Sequence, residues 1–170
     1  MPSIAELLLT ELEREAAGTR RALERVPEGR NGWKPHEKSM ELGYLAGLVA
    51  TIPAWIASMA TEAELDLEKP GELQTKPYES RAELLAAFDQ AMARAREALG
   101  GVTDEHLFTK WRLRVQRQVV LEEQRYFAIR ESAINHLAHH RGQLTVYLRL
   151  NDAPVPALYG PSADEGGPAA

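Results

Sequence analysis

Asn135-His136-Leu137-Ala138-His139-His140-Arg141-Gly142-Gln143 is the stretch on which the reading of this chain turns. It lies in a run from about Glu123 to about Leu150 with helical periodicity, in which Ile129, Ala133, Leu137, Leu144 and Tyr147 lie on or beside one stripe. Asn151-Asp152-Ala153-Pro154 stops the helix. His136 and His140 are one turn apart, so both imidazoles occupy one face and can share a cation. That face borders the apolar stripe and points inward, at the edge of the core, whereas His139 points elsewhere. The same spacing equally suits two histidines that are hydrogen-bonded or solvated. Two imidazoles also make an incomplete centre, because a catalytic zinc usually has three protein ligands and an open position. Gln143 is placed to orient a ligand or bond a substrate, or is an ordinary polar position. Arg141 suits a carboxylate or phosphate ligand, or an ion pair with a glutamate on a neighbouring helix. Gly142 costs a helix interior roughly 1 kcal/mol against Ala. It marks either a close helix contact or a tolerated surface position.

Upstream, three further stretches read as helices. The first starts at Ser3 with Glu6 three residues on, a capping-box pattern, and carries Ile4, Leu7, Leu8, Leu12 and Ala16 to about Arg25. Pro27-Glu28-Gly29 ends it. The polar connection Arg30 to Lys38 holds one large aromatic anchor, Trp33. The second helix spans about Ser39 to Ala60, with Leu42, Leu45, Leu48, Val49, Ile52 and Ile56 as its stripe. Pro53 predicts a kink or a break in it. Thr61 to Tyr78, with Pro70, Gly71 and Pro77, reads as a long connection. The third helix begins at Ser80, again with a Glu three residues on, and ends near Gly100-Gly101. Thr103 suits a cap for a single turn. Trp111-Arg112-Leu113-Arg114-Val115 alternates apolar and polar residues, which predicts an extended excursion or short hairpin before the last helix. The expected fold class is all-α, a four-helix bundle with a long second-to-third crossover. Residues 1–160 form its domain, and 161–170 a loose tail rich in Gly, Pro and Ala.

Composition narrows the chemistry. Among 170 residues, 44% are apolar, which supports a real core, and there is no Cys. Thiolate nucleophiles and Cys-based metal sites are therefore excluded, and a reducing, cytoplasmic setting is expected. The net charge of −5 gives no electrostatic reason to seek nucleic acid or an anionic membrane, and Arg112, Arg114 and Arg117 form only a small basic cluster. Met-Pro-Ser-Ile-Ala-Glu is not a signal peptide. Tyr44 to Ala60 is interrupted by Gly47, Thr51, Pro53 and Ser58, and reads as a buried helix rather than a membrane span. No phosphate loop, dinucleotide fingerprint or Gly-x-Ser-x-Gly setting occurs. Adjacent Glu122 and Glu123 read as solvated positions.

Three segments together resemble the DinB-like superfamily. They are His136 to Leu144 followed by Tyr147-Leu148-Arg149, Trp33 to Met40 leading into Leu42-Gly43-Tyr44-Leu45-Ala46, and Pro154-Val155-Pro156 with Tyr159 to Glu165. The resemblance spans about Leu8 to Glu165. It implies an up-down-down-up helix order and homodimers. It also implies a divalent metal, nickel or zinc, held by three histidines. Two of these match His136 and His140, and the third comes from the second helix, where this chain has Leu48. Relatives in this superfamily include transferases and isomerases that use mycothiol or bacillithiol, although most members have no assigned activity. Leucine cannot ligate a metal, so the implied centre lacks one protein ligand. Two expectations follow. One is a non-catalytic module that binds a small ligand or a second copy of itself. The other is a metal-dependent thiol transferase or hydrolase-like enzyme using His136 and His140 and a low-molecular-weight thiol from outside.

Overall fold

Two of the long helices begin where the sequence offers a side-chain cap. In a computed structural model, which describes residues 1–68 and 75–166, α1 (Ile4–Leu23) opens with the full capping box: the Ser3 side chain accepts from the Glu6 amide and Glu6 answers to the Ser3 amide. α2 (Leu42–Thr61) starts three residues later than expected, with Glu41 at its N-cap and no side-chain cap. It runs unbroken through Pro53. α3 (Arg81–Gly100) is capped by Ser80, and the short α4 (Asp104–Leu107) by Thr103. The final helical run comprises α5 (Arg125–Ile129), a π-helical segment (Arg130–Asn135) and α6 (His136–Leu150). α3 packs on α2 and α1, and α6 also packs on α2 and α1.

The chain is not the all-α, up-down-down-up four-helix bundle expected from its sequence. A three-stranded mixed sheet accompanies the helices: β1 (Glu64–Asp66) runs parallel to β2 (Lys110–Val115), which pairs antiparallel with β3 (Gln118–Gln124). The alternation at Trp111 to Val115 is β2, whose inward residue Trp111 is 1% exposed. β1 hides in a connection too polar and too short to show a period. The last helix begins at Arg125 rather than Glu123 because β3 claims the intervening residues. Glu122 faces Arg112 across the strands and accepts from Lys110 and Arg112, at 2.6 Å each. Those two bonds hold its carboxyl down at about 2.

The sheet is tied to the helices at the C-terminal end of α2, where carbonyls lack helical partners. The buried Arg125 donates to the Met59 and Glu62 carbonyls at 2.7 and 2.6 Å and to Thr109 Oγ1 at 2.9 Å. His106 Nε2 donates to the Ala60 carbonyl at 2.7 Å. At the other end of α2, two glycines admit close backbone packing. Gly43 donates its amide to the Asn31 carbonyl at 2.9 Å, and a Cβ at Gly47 would run into the Lys76 carbonyl oxygen. α2 is apolar and long enough to cross a bilayer by length and composition, but 83% of that window is buried inside the protein.

Residues 161–166 are held against the helices. Glu165 pairs with Arg21 and Arg25, Asp164 pairs with Arg149, and Ser162 donates to the Val155 carbonyl at 2.7 Å. The rest of the expected tail, 167–170, lies outside the described residues, as does 69–74 of the second-to-third connection.

Candidate histidine site and adjacent cavity

The helical spacing of His136 and His140 does bring their rings together. Nε2 of one lies 2.7 Å from Nε2 of the other, and the ring centroids are 4.5 Å apart. His140 is buried and His136 partly so. His140 Nδ1 donates to Gln143 Oε1 at 2.7 Å. That partner fixes the tautomer: His140 Nε2 is bare and accepts the proton carried on His136 Nε2. His136 Nδ1 is then left 3.4 Å from the Ser132 carbonyl, beyond an ordinary hydrogen bond. Burial lowers the pKa of both rings. For His136, the contact with Ser132 opposes the shift and His139 adds to it. For His140, Gln143 opposes the shift, and both His136 and His139 add to it. The pair is therefore a neutral dyad whose facing nitrogens satisfy each other.

α2 passes this dyad in the opposite direction to α6. The Trp55 ring lies edge-on to His136, with centroids 5.4 Å apart. Toward the other end, the Tyr147 hydroxyl donates to the Met40 carbonyl at 3.1 Å. Leu48, about two turns before Trp55, falls between these two contacts along α2. It is buried in the apolar core. Among the described residues, no group of three or more His, Asp or Glu side chains is placed to hold a metal ion. A centre on His136 and His140 would need two bare Nε2 atoms and further donors, and Leu48 supplies none. The residues present do not fit the three-histidine metal centre.

Arg141 belongs to another part of the molecule. It is 2% exposed, and its Nη1 donates to the Glu15 carbonyl at 2.9 Å and to Thr19 Oγ1 at 3.2 Å. Its Nη2 lies 2.6 Å from both the Glu15 carboxylate and the Tyr159 hydroxyl. Of the two roles open to it, the structure takes the ion pair with a neighbouring helix. Gly142 is exposed with open space around it, so it is the tolerated surface glycine.

What the sequence did not reveal is a cavity of about 380 Å³ beside His136. Trp55 and Met59 of α2, Leu65, Leu67, Trp111 and Leu113 of the sheet region, and Glu131, Ser132 and His136 line it. The π-helical segment explains the last three. In an α-helix, residues five apart lie about 140° apart around the axis. The i→i+5 bonding of a π turn swings them toward one side, so Glu131 and His136 face the same space. No composition signal marks such a turn. Trp55 was detectable only as a large residue two turns along from Leu48.

The architecture is that of a helical domain with a small mixed sheet, its last helix carrying the histidine pair. The chain belongs to the DinB family, whose sequence model matches residues 1–167. The fold is shared with the crystal structure of a DinB-like protein from Bacillus cereus, with a TM-score of 0.69 and 22% identity over 89% of this chain and 95% of that one. It is shared as well with a DinB-like protein, YjoA, from Bacillus subtilis, with a TM-score of 0.66 and 20% identity over 88% of this chain and 96% of that one. No curated protein sequence matches.

Proposed function

We propose that this DinB-family chain is a non-catalytic small-ligand-binding domain, acting in the cytoplasm as a homodimer. In this reading the histidine pair is a hydrogen-bonded wall element rather than a metal centre. The observation that carries it is the 2.7 Å contact between the two Nε2 atoms, in which the facing nitrogens of the pair are already partnered with each other. The cavity beside His136 supplies the space for a ligand, within the usual size range of about 300–1,000 Å³ for such sites.

Calorimetric titration of tag-free protein with nickel or zinc tests the reading. Wild type shows no stoichiometric binding. Leu48→His gains it, because a third imidazole from α2 completes the donor set, and adding His140→Ala removes it again. Stoichiometric binding by wild type that vanishes in His140→Ala overturns the proposal. Light scattering on the eluting protein tests the homodimer.

A second reading has one observation in its favour. His140 is oriented through its far nitrogen by Gln143, and the Ser132 carbonyl stands 3.4 Å from the far nitrogen of His136. Such outer partners typically orient metal-bound imidazoles. On that reading the chain is a nickel- or zinc-dependent thiol transferase or hydrolase-like enzyme, with His136 and His140 as ligands and a low-molecular-weight thiol supplied from solution.

A further inference from the structure

A groove of about 840 Å³ runs along α1 and shares no lining residue with the cavity beside His136. Its α1 wall extends from Leu7 to Arg21, about 21 Å at the rise of an α-helix. Arg130 of the π-helical segment, Arg141 of α6 and Ala157, Leu158 and Tyr159 of the C-terminal segment complete it. Gly18 lets that segment close on the helix, because a Cβ there would come within 3.0 Å of Leu158 Cδ2. Arg21 fastens the segment by donating to the Ala157 carbonyl at 2.9 Å, and the Tyr159 hydroxyl does so by donating to Glu15 at 2.7 Å.

Four arginines and two glutamates line this groove, in a chain whose net charge is −5. The local sign is therefore the reverse of the whole, which draws anions to this face. Two of the arginines are spoken for, Arg141 by Glu15 and Arg21 by Glu165. The other two are not. Arg130 Nε stands 3.6 Å from the Glu11 carboxylate, beyond an ordinary hydrogen bond. Among the described residues, Arg14 has no hydrogen bond or ion pair. Arg14 follows Glu11 by three residues and so neighbours it on the helix surface. Two guanidinium groups thus flank a single carboxylate, and one positive charge is left over.

A lone exposed arginine is ordinary; what distinguishes this pair is the apolar surface beside it. Leu7 is 55% exposed and Tyr159 78% exposed, and Ala17 and Leu158 line the same groove. A compact inorganic ion would leave that surface bare. An elongated ligand with an oxyanion head and an aliphatic body covers it and meets the charge. The planar fork of a guanidinium matches carboxylate and phosphate alike, so both head groups suit the site.

We propose that the groove between α1 and the C-terminal segment binds an aliphatic oxyanion, a carboxylate or a phosphate monoester, its head between Arg14 and Arg130 and its chain along Ala17, Leu158 and Tyr159. This is a second site, beyond the ligand-binding reading given above, and it does not depend on the cavity beside His136.

The test titrates full-length protein with octanoate, octyl phosphate and 1-octanol, which share one chain and differ in the head. In ¹⁵N–¹H spectra the anions move the backbone amides of Gly18, Leu158 and Tyr159 and leave the indole signals of Trp55 and Trp111 in place. At low salt the tighter anion binds about 3- to 25-fold more strongly than octanol, the span expected of two solvent-exposed ion pairs. That preference fades between about 0.01 and about 1 M salt, and the anion that binds more tightly names the head group. Arg14→Gln/Arg130→Gln abolishes the preference and leaves octanol binding unchanged. Both side chains are exposed and neither is hydrogen-bonded through its guanidinium, so the variant keeps its circular dichroism. Arg14→Gln alone lowers the preference about 2- to 5-fold. Absence of saturable anion binding, equal affinity for anions and octanol, or a preference that survives the double variant overturns the proposal. Shifts confined to the Trp55 and Trp111 indoles also overturn it and place the chain in the other cavity.

Discussion

Arg141→Met is the perturbation that separates a structural arginine from a ligand-binding one. The side chain is 2% exposed, and the Glu15 side chain it meets at 2.6 Å is 14% exposed. Tyr159 closes the triangle. Its hydroxyl accepts from Arg141 at 2.6 Å and donates to Glu15 at 2.7 Å, with the guanidinium 5.1 Å from its ring centroid. Removing one partner of a buried pair costs about 3–5 kcal/mol, because a charge is left without compensation. The slight exposure of Glu15 places the expected loss near the lower bound, about 3 kcal/mol. With a urea m-value of about 2 kcal/mol/M, the unfolding midpoint falls by about 1.5 M. Most of that loss comes from the stranded carboxylate, so adding Glu15→Gln to Arg141→Met recovers about 1 kcal/mol or more. Equilibrium urea unfolding followed by circular dichroism reads both variants. A single-variant loss below about 1 kcal/mol, or a further loss on adding Glu15→Gln, refutes the clamp and returns Arg141 to the candidates for ligand contact.

Three other perturbations have definite expected outcomes. Gly142→Ala places a methyl group in open space on α6 and should stabilise the protein by roughly 1 kcal/mol; a lower thermal midpoint would contradict this. The β2–β3 turn holds Gln116 and Arg117 at φ of 48° and 61°, the backbone of a two-residue hairpin turn that favours Asn-Gly. Replacing the pair with Asn-Gly should add about 1–2 kcal/mol by removing left-handed strain at Arg117, and an unchanged or lower urea midpoint would count against it. Burial depresses both dyad pKa values below the ordinary 6.5, so the unfolded chain takes up protons first on acidification. The dyad's stabilisation is complete above about pH 6.5 and is lost as pH falls toward the depressed folded values. Urea midpoints between about pH 8 and about pH 5 should decline with acid, and the double variant His136→Gln/His140→Gln should flatten that decline; an identical decline in the variant would sink the assignment.

How much of this was legible in the chain depends on the range of the signal. Ser3, Ser80 and Thr103 announced their helices because a cap is a contact between near neighbours. The His136–His140 contact was legible because a helix fixes the distance between residues four apart. The sheet was only half visible. β2 showed alternation, but Glu64–Asp66 is three partly buried residues long, and its pairing with Arg112 to Arg114 depends on tertiary contacts. The turn at Gln116-Arg117 lacks the Gly or Asn that usually marks one. The partner of Arg141 was open between a ligand and a glutamate, because choosing Glu15 requires knowing that α1 packs on α6. The cavity was invisible for the same reason: its walls come from α2, the sheet and the π-helical segment.

Two features on either side of His136 compete as the place where this protein meets a ligand, and what a ligand would have to displace ranks them. In the dyad, His140 bonds both Gln143 and His136, so little is gained by bringing a third party to it. A cation there must first break the 2.7 Å contact, shift a proton and find donors that Leu48 cannot provide. The cavity is lined mainly by apolar and aromatic side chains, so an apolar ligand would bury surface there without displacing a hydrogen bond. The π-helical segment reinforces that ranking. π turns are rare, occur mostly as single turns within α-helices and are frequent at functional sites. Here the turn brings Glu131 and Ser132 to the cavity wall beside His136, whereas the dyad itself needs only the ordinary spacing of α6. Binding energy is therefore available on the cavity side of His136, and the other side of the ring is already occupied by His140.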